Sequence, residues 1–228
     1  TVKTAAVQEY HTKYGEKVTY RLSDGSRIIL NANSSLRFSS TIEEGLNTEV
    51  WLEGEAYFNI ARLEGDRQRT FTVHTPDGSI EVLGTTFVVK TFEVETQAVL
   101  EEGKISVRLR ENDEESSNEF ILEPGNLARF TAGDNKIAVK EVNTRVYTSW
   151  IEDKLFFENT PMSEVARRIE NTFGVKVRLA QGLAGQNLTG SIKSTDLKVM
   201  AEALSDILEA KVEKRGQNLY VGIEDNKE

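Results

Sequence analysis

The stretch FTVHTPDGSIEVLGTTFVVKTF, residues 71–92, indicates the fold class of the N-terminal part of the chain. It holds three short runs rich in β-branched and aromatic residues, a composition typical of strands. The first two runs meet at the sequence PDG of residues 76–78, and Asp-Gly tolerates the backbone angles of a tight turn. The stretch therefore predicts a hairpin followed by a further strand.

Similar segments surround this stretch from Lys17 to about Val142, with Gly, Asp or Asn between them. They begin at residues 17, 26, 48, 55, 69, 78, 85, 96, 104, 120, 127 and 136. No helical apolar stripe of useful length interrupts them, so residues 1–147 are predicted to form an all-β domain, either sandwich-like or solenoid-like. The charged run RENDEESSNE at 110–119 is poor in apolar residues, and we expect it to form an exposed loop at a hairpin tip.

After Trp150 the apolar period changes from that of strands to that of helices. The segment KLFFEN at 154 predicts a strand, and Thr160-Pro161 is interpreted as a helix cap followed by proline at the first helical position. The helix is expected to end at Gly174. Its apolar stripe is formed by Met162, Val165, Ile169 and Phe173.

The rest of the chain repeats this order of elements. Strands are expected at residues 175 and 188, a second helix near Asp196, and a hairpin over 210–223. The apolar face of the second helix is formed by Leu197, Met200, Ala201, Leu204 and Leu208. Residues 148–228 are thus predicted to form a small α/β domain of two β-α-β units, with both helices on one face of a small sheet. We expect Val165, Ile169 and Leu204 to be buried against that sheet.

Composition and motifs argue against catalysis. The net charge is −9, and no cluster of Lys and Arg provides the basic face that nucleic-acid binding needs. The chain has no cysteine, and its two histidines, His11 and His74, lie far apart in the sequence without a metal-binding motif. No phosphate-binding or nucleophile motif occurs in its required context. We therefore expect no catalytic, cofactor or metal site, and a protein that is not an enzyme.

Two possible sites have simpler explanations. Glu53 and Glu55 could form a glycosidase pair, but such carboxylates usually face each other from separate elements, and we interpret them as polar groups at the end of a hairpin. Trp51, Tyr57 and Phe58 could stack on a sugar, but aromatic residues in a β domain more often fill the core.

Several segments in order resemble the periplasmic domain of FecR-type anti-sigma regulators. They are VTYRLSDGSRIILNANSSLRFSS, VWLEGEAYFNIAR, FTVHTPDGSIEVLGTTFVVKTF, AVLEEGKISVRL and LEPGNLARF. The later segment LFFENTPMSEVARRIENTFGVKVRL resembles the C-terminal domain of Bacteroidetes-type members, which is similar to the short N-terminal domain of secretins and TonB-dependent receptors. The resemblance runs from about residue 14 to residue 223.

The resemblance implies a regulator anchored in the inner membrane by one helix, whose cytoplasmic segment holds an extracytoplasmic-function sigma factor. Its periplasmic part would bind the N-terminal signalling domain of a TonB-dependent outer-membrane transporter. No apolar run here is long enough to span a membrane, so we expect this sequence to be the periplasmic, signal-receiving part, which does not itself hold the sigma factor. The alternative is a β module that binds a carbohydrate or another small ligand.

The partner is expected to dock at an unpaired sheet edge of the C-terminal domain, because unpaired backbone groups recruit strands. The candidate strands are LFFEN at 155–159, LTGSIK at 188–193 and NLYVGI at 218–223. The candidate partner-binding residues on them are Phe156, Phe157, Ile192 and Tyr220. Adjacent residues of a strand point to opposite faces, so one of the two phenylalanines should point away from the core. It would either meet a partner or pack beside Trp150.

Overall fold

The computed structural model describes residues 7–39, 47–62, 69–92, 95–111, 114–134 and 136–222. The chain divides into two compact units, Thr1–Thr144 and Arg145–Glu228. The first unit is all-β, and the second mixes helices with short strands.

The described part of the first unit holds fourteen strands. They are β1 (Val7–His11), β2 (Val18–Arg21), β3 (Arg27–Leu30), β4 (Ser35–Ser39), β5 (Thr48–Glu53), β6 (Glu55–Asn59), β7 (Phe71–Thr75), β8 (Gly78–Val82), β9 (Thr86–Lys90), β10 (Thr96–Glu102), β11 (Ile105–Glu111), β12 (Glu114–Leu122), β13 (Asn126–Phe130) and β14 (Ala138–Glu141). The hairpin predicted within residues 71–92 is present as β7 and β8, with β9 after it. The all-β prediction for this part of the chain is confirmed.

These strands form two seven-stranded sheets. The first has the order β1-β4-β5-β7-β8-β11-β12, and the second has the order β14-β13-β10-β9-β6-β3-β2. The chain alternates between the sheets, mostly one hairpin at a time, so that neighbours within each sheet follow the order of the sequence. The unit is a sandwich because it consists of two sheets, and it is solenoid-like because the chain passes repeatedly from one sheet to the other. Each of the two predicted alternatives therefore describes one aspect of it.

Apolar side chains of both sheets meet in one core. The ring of Phe58 on β6 stacks on Phe87 of β9 with centroids 4.9 Å apart, and it lies 5.9 Å from Phe71 on β7 of the opposite sheet. All three rings are fully buried. Burying an aromatic or aliphatic side chain is worth about 1.5–3 kcal/mol, so inward-facing residues of this kind hold the two sheets together.

The sequence-based interpretation of the first unit was wrong in two places. The strands β1 and β4, which pair antiparallel, are absent from the prediction. The strand β1 is an edge strand and mostly polar, and β4, between β1 and β5, contributes only Leu36 and Phe38 to the core, so neither stands out by its apolar residues. The expected loop at 110–119 is mostly strand, because β11 and β12 continue to pair as far as Glu111 and Glu114. Backbone hydrogen bonds can extend a hairpin through polar sequence. The turn itself, residues 112–113, lies outside the described residues.

From Lys154 onward the second unit has the predicted order of helices and strands, and a short helix and a 3-10 turn that are absent from the prediction come before it. Its elements are α1 (Arg145–Thr148), a 3-10 turn (Ser149–Glu152), β15 (Lys154–Pro161), α2 (Met162–Phe173), β16 (Lys176–Leu179), β17 (Asn187–Lys193), α3 (Leu197–Leu208), β18 (Val212–Arg215) and β19 (Asn218–Val221). The α/β class is confirmed.

The strands of the second unit form two small sheets, where the sequence predicts one. The strand β15 pairs antiparallel with β17, while β19 lies between β16 and β18. Each helix therefore joins strands of different sheets. Since α2 packs on β15, β16 and β17, and α3 packs on β17 and β18, the helices lie between the two sheets and not on one face of a single sheet. The spacing of apolar residues shows whether a segment is a helix or a strand, but it does not show which strands pair with each other. The prediction of a single sheet is wrong for this reason.

Three local expectations for the helices can be compared with the structure. The helix α2 ends at Gly174 with φ of 67°, and Asp196 caps α3 by accepting hydrogen bonds from the amides of Lys198 and Val199, both as predicted. The cap expected at Thr160 is wrong, because Thr160 is a buried residue of β15. Its hydroxyl accepts a hydrogen bond from the amide of Glu158, and Pro161 occupies the cap position of α2.

The apolar faces of the two helices are buried as predicted. The exposed fractions of Val165, Ile169 and Leu204 are 0%, 1% and 0%. These side chains form the inner layer of the second unit, and the outer sheet edges remain as places where backbone groups could meet another chain.

Candidate protein-docking edge

The two small sheets of the second unit have four outer edges, on β15, β16, β17 and β18. An outer edge presents N–H and C=O groups that can pair with a strand of another protein, unless charge or another element covers them. The four edges therefore need to be compared one by one.

The edge of β16 is blocked by a side chain of α2. The amide of Lys176 donates to the carbonyl of Gln217, just before β19, and the amide of Ala180 donates to the carbonyl of Val221, the last residue of β19. The amide of Val177 between them therefore points outward. That amide donates to Oε1 of Glu170 at 2.8 Å. An incoming strand would have to displace this carboxylate.

The edge of β18 is protected by charge. The strand and the residue before it read KVEKR, and Glu213 forms ion pairs with Lys211 at 3.9 Å and with Arg215 at 2.9 Å. Charged residues on an edge strand, lysines above all, oppose strand addition because pairing would remove their charges from water.

The edge of β15 is covered by the segment that opens the unit. The amide of Phe156 donates to Oγ of Ser149 in the 3-10 turn at 2.9 Å, and the guanidinium carbon of Arg145 lies 4.8 Å from the centre of the Phe156 ring. Arg168 of α2 holds this segment in place by donating to the carbonyl of Val146 at 2.7 Å. The helix α1 and the 3-10 turn thus occupy the position that a partner strand would take.

The edge of β17 remains. The amide of Phe156 points away from β17. Phe156 and Ser191 lie opposite each other on the two strands, and they therefore form no backbone hydrogen bond with one another. The N–H and C=O groups of Ser191 therefore point outward, and those of Thr189 and Lys193 alternate in the same way. All three side chains are exposed, and no strand in the described part of the chain pairs with this side of β17.

The structure divides the four predicted partner-binding residues among different environments. Phe157 and Ile192 face the core and are each 1% exposed. Phe156 is the outward-pointing phenylalanine, but it is half-buried beneath Arg145. Tyr220 lies on β19, which is paired on both sides, so Asn218–Val221 is not an edge; residue 223 of the candidate segment lies outside the described residues. Ser191, which lies on the candidate strand 188–193 but is not one of the four predicted residues, is at the uncovered edge, because pairing and not composition determines which amides point outward.

The other candidate sites are not assembled by the fold. Glu53 and Glu55 lie on strands of opposite sheets, and Glu55 accepts a hydrogen bond from Asn31 at 2.7 Å. His74 pairs with Glu49 at 3.2 Å, on a different strand pair from His11. Among the described residues, no group of three His, Cys, Asp or Glu side chains is placed to hold a metal ion.

The aromatic residues considered for sugar stacking are also separated. Tyr57 and Phe58 are buried in the core as expected, whereas Trp51 is 37% exposed on the first sheet. The Trp51 ring stacks on His74 with centroids 5.0 Å apart, and the guanidinium carbon of Arg37 lies 5.1 Å from its centre. These neighbours from the adjoining strands occupy the ring faces on which a sugar would stack.

Comparison with known proteins gives consistent results for both units. A family model described as FecR protein matches residues 8–106, and a model described as FecR, C-terminal matches residues 154–221. A crystal structure of a candidate anti-sigma factor from Parabacteroides distasonis is similar, with 22% identity, a TM-score of 0.74, and coverage of 96% of this chain and 100% of that one. A second structure with the same description, also from Parabacteroides distasonis, has 23% identity, a TM-score of 0.73, and coverage of 94% and 98%. No curated protein matches the chain significantly.

Proposed function

The chain belongs to the FecR family, and from this premise we propose that it is the periplasmic, signal-receiving part of a transmembrane anti-sigma regulator. The described residues contain no helix long and apolar enough to cross a membrane. An extracytoplasmic-function sigma factor would be held by a cytoplasmic segment outside this sequence. Binding of a partner would change the conformation of the present residues, and this change would regulate the sigma factor.

The proposed partner is the N-terminal signalling domain of a TonB-dependent outer-membrane transporter. The observation that supports this proposal is the uncovered edge of β17, in the unit that matches the C-terminal model of the family. A partner strand at this edge would extend the sheet of β15 and β17. Its affinity would come from backbone hydrogen bonds, and its specificity from alternate side chains.

The proposal is tested by proline substitution at outward-pointing amides. Ser191→Pro removes one such N–H from β17 without touching the hydrogen bonds to β15, and proline is tolerated at edge positions of this kind. Binding of purified transporter signalling domains from the source organism would be measured by calorimetry. We expect the domain that binds the unaltered chain to lose roughly tenfold or more in affinity, about 1.4 kcal/mol.

Lys214→Pro is the matched control. The amide of Gly222 donates to the carbonyl of Lys211, and this register makes the amide of Lys214 point outward from β18. The variant therefore removes one outward amide from the charged edge and should bind normally. Equal binding by Ser191→Pro and the unaltered chain, with folding confirmed by circular dichroism, would contradict docking at β17. Stabilisation by a sugar in the absence of any signalling-domain binding would favour the small-ligand alternative.

A further inference from the structure

We propose that the segment that pairs with β17 is an amphipathic strand whose apolar side chains pack on α3. This inference rests on the proposed function and adds a second surface to the same docking site. It specifies the chemistry of the partner strand: apolar side chains on one face, and polar side chains with at least one carboxylate on the other.

The helix α3 carries apolar side chains both on its buried face and beside it. Met200 and Leu204 are fully buried between the sheets, as expected for an amphipathic helix. Val199 and Ile207 are nevertheless 40% and 41% exposed, although both are large and apolar. With Ala203 between them at a spacing of four residues, they form one continuous line along the helix, here called the α3 stripe.

The α3 stripe borders the uncovered edge of β17. A Cβ atom placed on Gly190 would lie 3.8 Å from Cδ1 of Ile207, so this end of the stripe lies directly over β17. Of the two strands in the sheet, β17 contacts α3, whereas β15 lies beneath α2. Ile207 therefore lies beside the strand to which a third strand would be added, and the stripe runs from there along α3 to Val199.

An added strand fits this combination better than a helix does. Its backbone would satisfy the outward groups of β17, which a helix cannot do because its own backbone groups are already bonded. Alternate side chains of the strand would point toward α3. Apolar side chains there would cover Val199 and Ile207, whereas polar ones would be buried without hydrogen-bond partners.

The other face of the added strand would meet polar groups. Thr189, Ser191 and Lys193 point away from the helices and are exposed. Lys193 lies directly opposite Lys154 across the sheet, and Lys154 already pairs with Glu152 at 3.7 Å. A carboxylate on the partner strand beside Lys193 would place an opposite charge next to this second lysine, so the polar face is expected to be acidic at this end.

The test separates this inference from the proposed function. The double variant Val199→Asn, Ile207→Asn removes the apolar surface without adding charge, and both positions are exposed, so the fold should be retained. Lys198→Asn is the control, because its side chain is 85% exposed and lies on the side of the helix away from the stripe. We expect the double variant to bind the transporter signalling domain roughly tenfold or more weakly, and the control to bind normally. Normal binding by the double variant, when Ser191→Pro weakens binding, overturns this inference and leaves the proposed function standing.

A second measurement does not depend on the transporter domain. A short synthetic peptide that alternates valine with threonine and glutamate would be titrated into the isotope-labelled chain and followed by nuclear magnetic resonance. Amide shifts along both β17 and α3, absent with a peptide in which asparagine replaces valine, are the expected result. Equal shifts with the two peptides would overturn the proposal. The absence of shifts with either peptide, or shifts that arise only from self-association of the chain, would overturn it as well.

Discussion

Asp24 and Arg69 form a buried ion pair between the turn that joins β2 to β3 and the residues just before β7. Their side chains are 5% and 2% exposed, and Asp24 also accepts hydrogen bonds from the amide and hydroxyl of Ser26. Burial alone would raise the pKa of Asp24, but the hydrogen bonds from Ser26 and the charge of Arg69 outweigh it and hold the pKa below its ordinary value. The ionised carboxylate is thus part of the folded state.

The pH dependence of this pair has a definite sign. Because the pKa of Asp24 is lower in the folded chain than in the unfolded one, its contribution to stability is present above pH 4 or so and is lost as the pH falls through the folded value. Asp24→Asn should lower the free energy of unfolding by on the order of 3 kcal/mol at pH 7, since it leaves Arg69 buried without its counter-charge. Urea unfolding from pH 7 to pH 2 should show a shallower acid slope for the variant. A slope equal to that of the unaltered chain would contradict this account.

Gly54, between β5 and β6, allows its backbone to lie very close to Ser34. Its φ is 104°, and a Cβ atom there would lie 2.7 Å from the Cα of Ser34. Gly54→Ala should therefore lower the free energy of unfolding by about 2–3 kcal/mol, from both backbone strain and the clash. Gly25→Ala is the control, because Gly25 has φ of 88° but open space around it, and it should cost about 1 kcal/mol. Similar losses for the two variants in urea unfolding would mean that the contact with Ser34 is unimportant.

At the scale of elements, Arg168 connects the start of the second unit to α2. Its side chain is 13% exposed, binds Glu164 at 3.0 Å and the Val146 carbonyl at 2.7 Å, and lies 5.6 Å from the centre of the Tyr147 ring. Arg168→Met keeps the aliphatic stem but removes these hydrogen bonds, so it should cost about 1.5–3 kcal/mol and loosen α1.

Arg167→Met gives the matched control for this connection. Arg167 pairs with the same carboxylate at 2.6 Å, but its side chain is 46% exposed, so its loss should change stability by less than about 1 kcal/mol. Hydrogen exchange at residues 145–152 measures the difference directly. Faster exchange there in Arg168→Met alone would confirm that Arg168 keeps the edge of β15 covered, and equal exchange in the two variants would refute it.

The predictability of each element follows from its local signal. Alternating apolar residues and Asp-Gly turns marked most strands of the first unit, and Gly174 and Asp196 marked a helix end and a helix start correctly. The polar strand β1 and the extension of β12 through 114–119 gave no such signal, since ladder hydrogen bonds do not depend on side-chain polarity. Strand pairing likewise lies beyond a local pattern, and for that reason Tyr220 was assigned to a possible edge although β19 is central.

At the scale of the whole molecule, the family resemblance can be recognised from the sequence because it depends on many segments in order. The docking edge cannot be recognised in this way. The edge of β17 is defined by contacts of other residues: Glu170 blocks β16, and Ser149 with Arg145 covers β15. These contacts join residues seven to eleven positions apart, and they depend on how the elements pack, which no short motif encodes. The candidate site therefore required the three-dimensional arrangement.

The second unit should fold and bind without the first. Its own core is formed by Trp150, Leu155, Phe157, Met162, Val165, Ala166, Ile169, Val175, Leu183, Leu188, Ile192, Met200, Leu204, Leu219 and Val221. The fragment Arg145–Glu228 keeps both of its sheets complete, and domains of this size commonly fold alone. We expect cooperative thermal unfolding of the fragment and an affinity for the signalling domain within roughly threefold of the whole chain, a difference of less than 1 kcal/mol.

Ser191→Pro introduced into the fragment separates folding from binding in that experiment. The substitution should leave the unfolding transition in place, because the Ser191 amide is not part of the ladder between β15 and β17. It should weaken binding by roughly tenfold or more, as in the whole chain. A fragment that unfolds cooperatively but does not bind would show that the first unit supplies part of the docking surface. A fragment with no cooperative transition would show that the core of the second unit is insufficient by itself, despite the burial of its helices between two sheets.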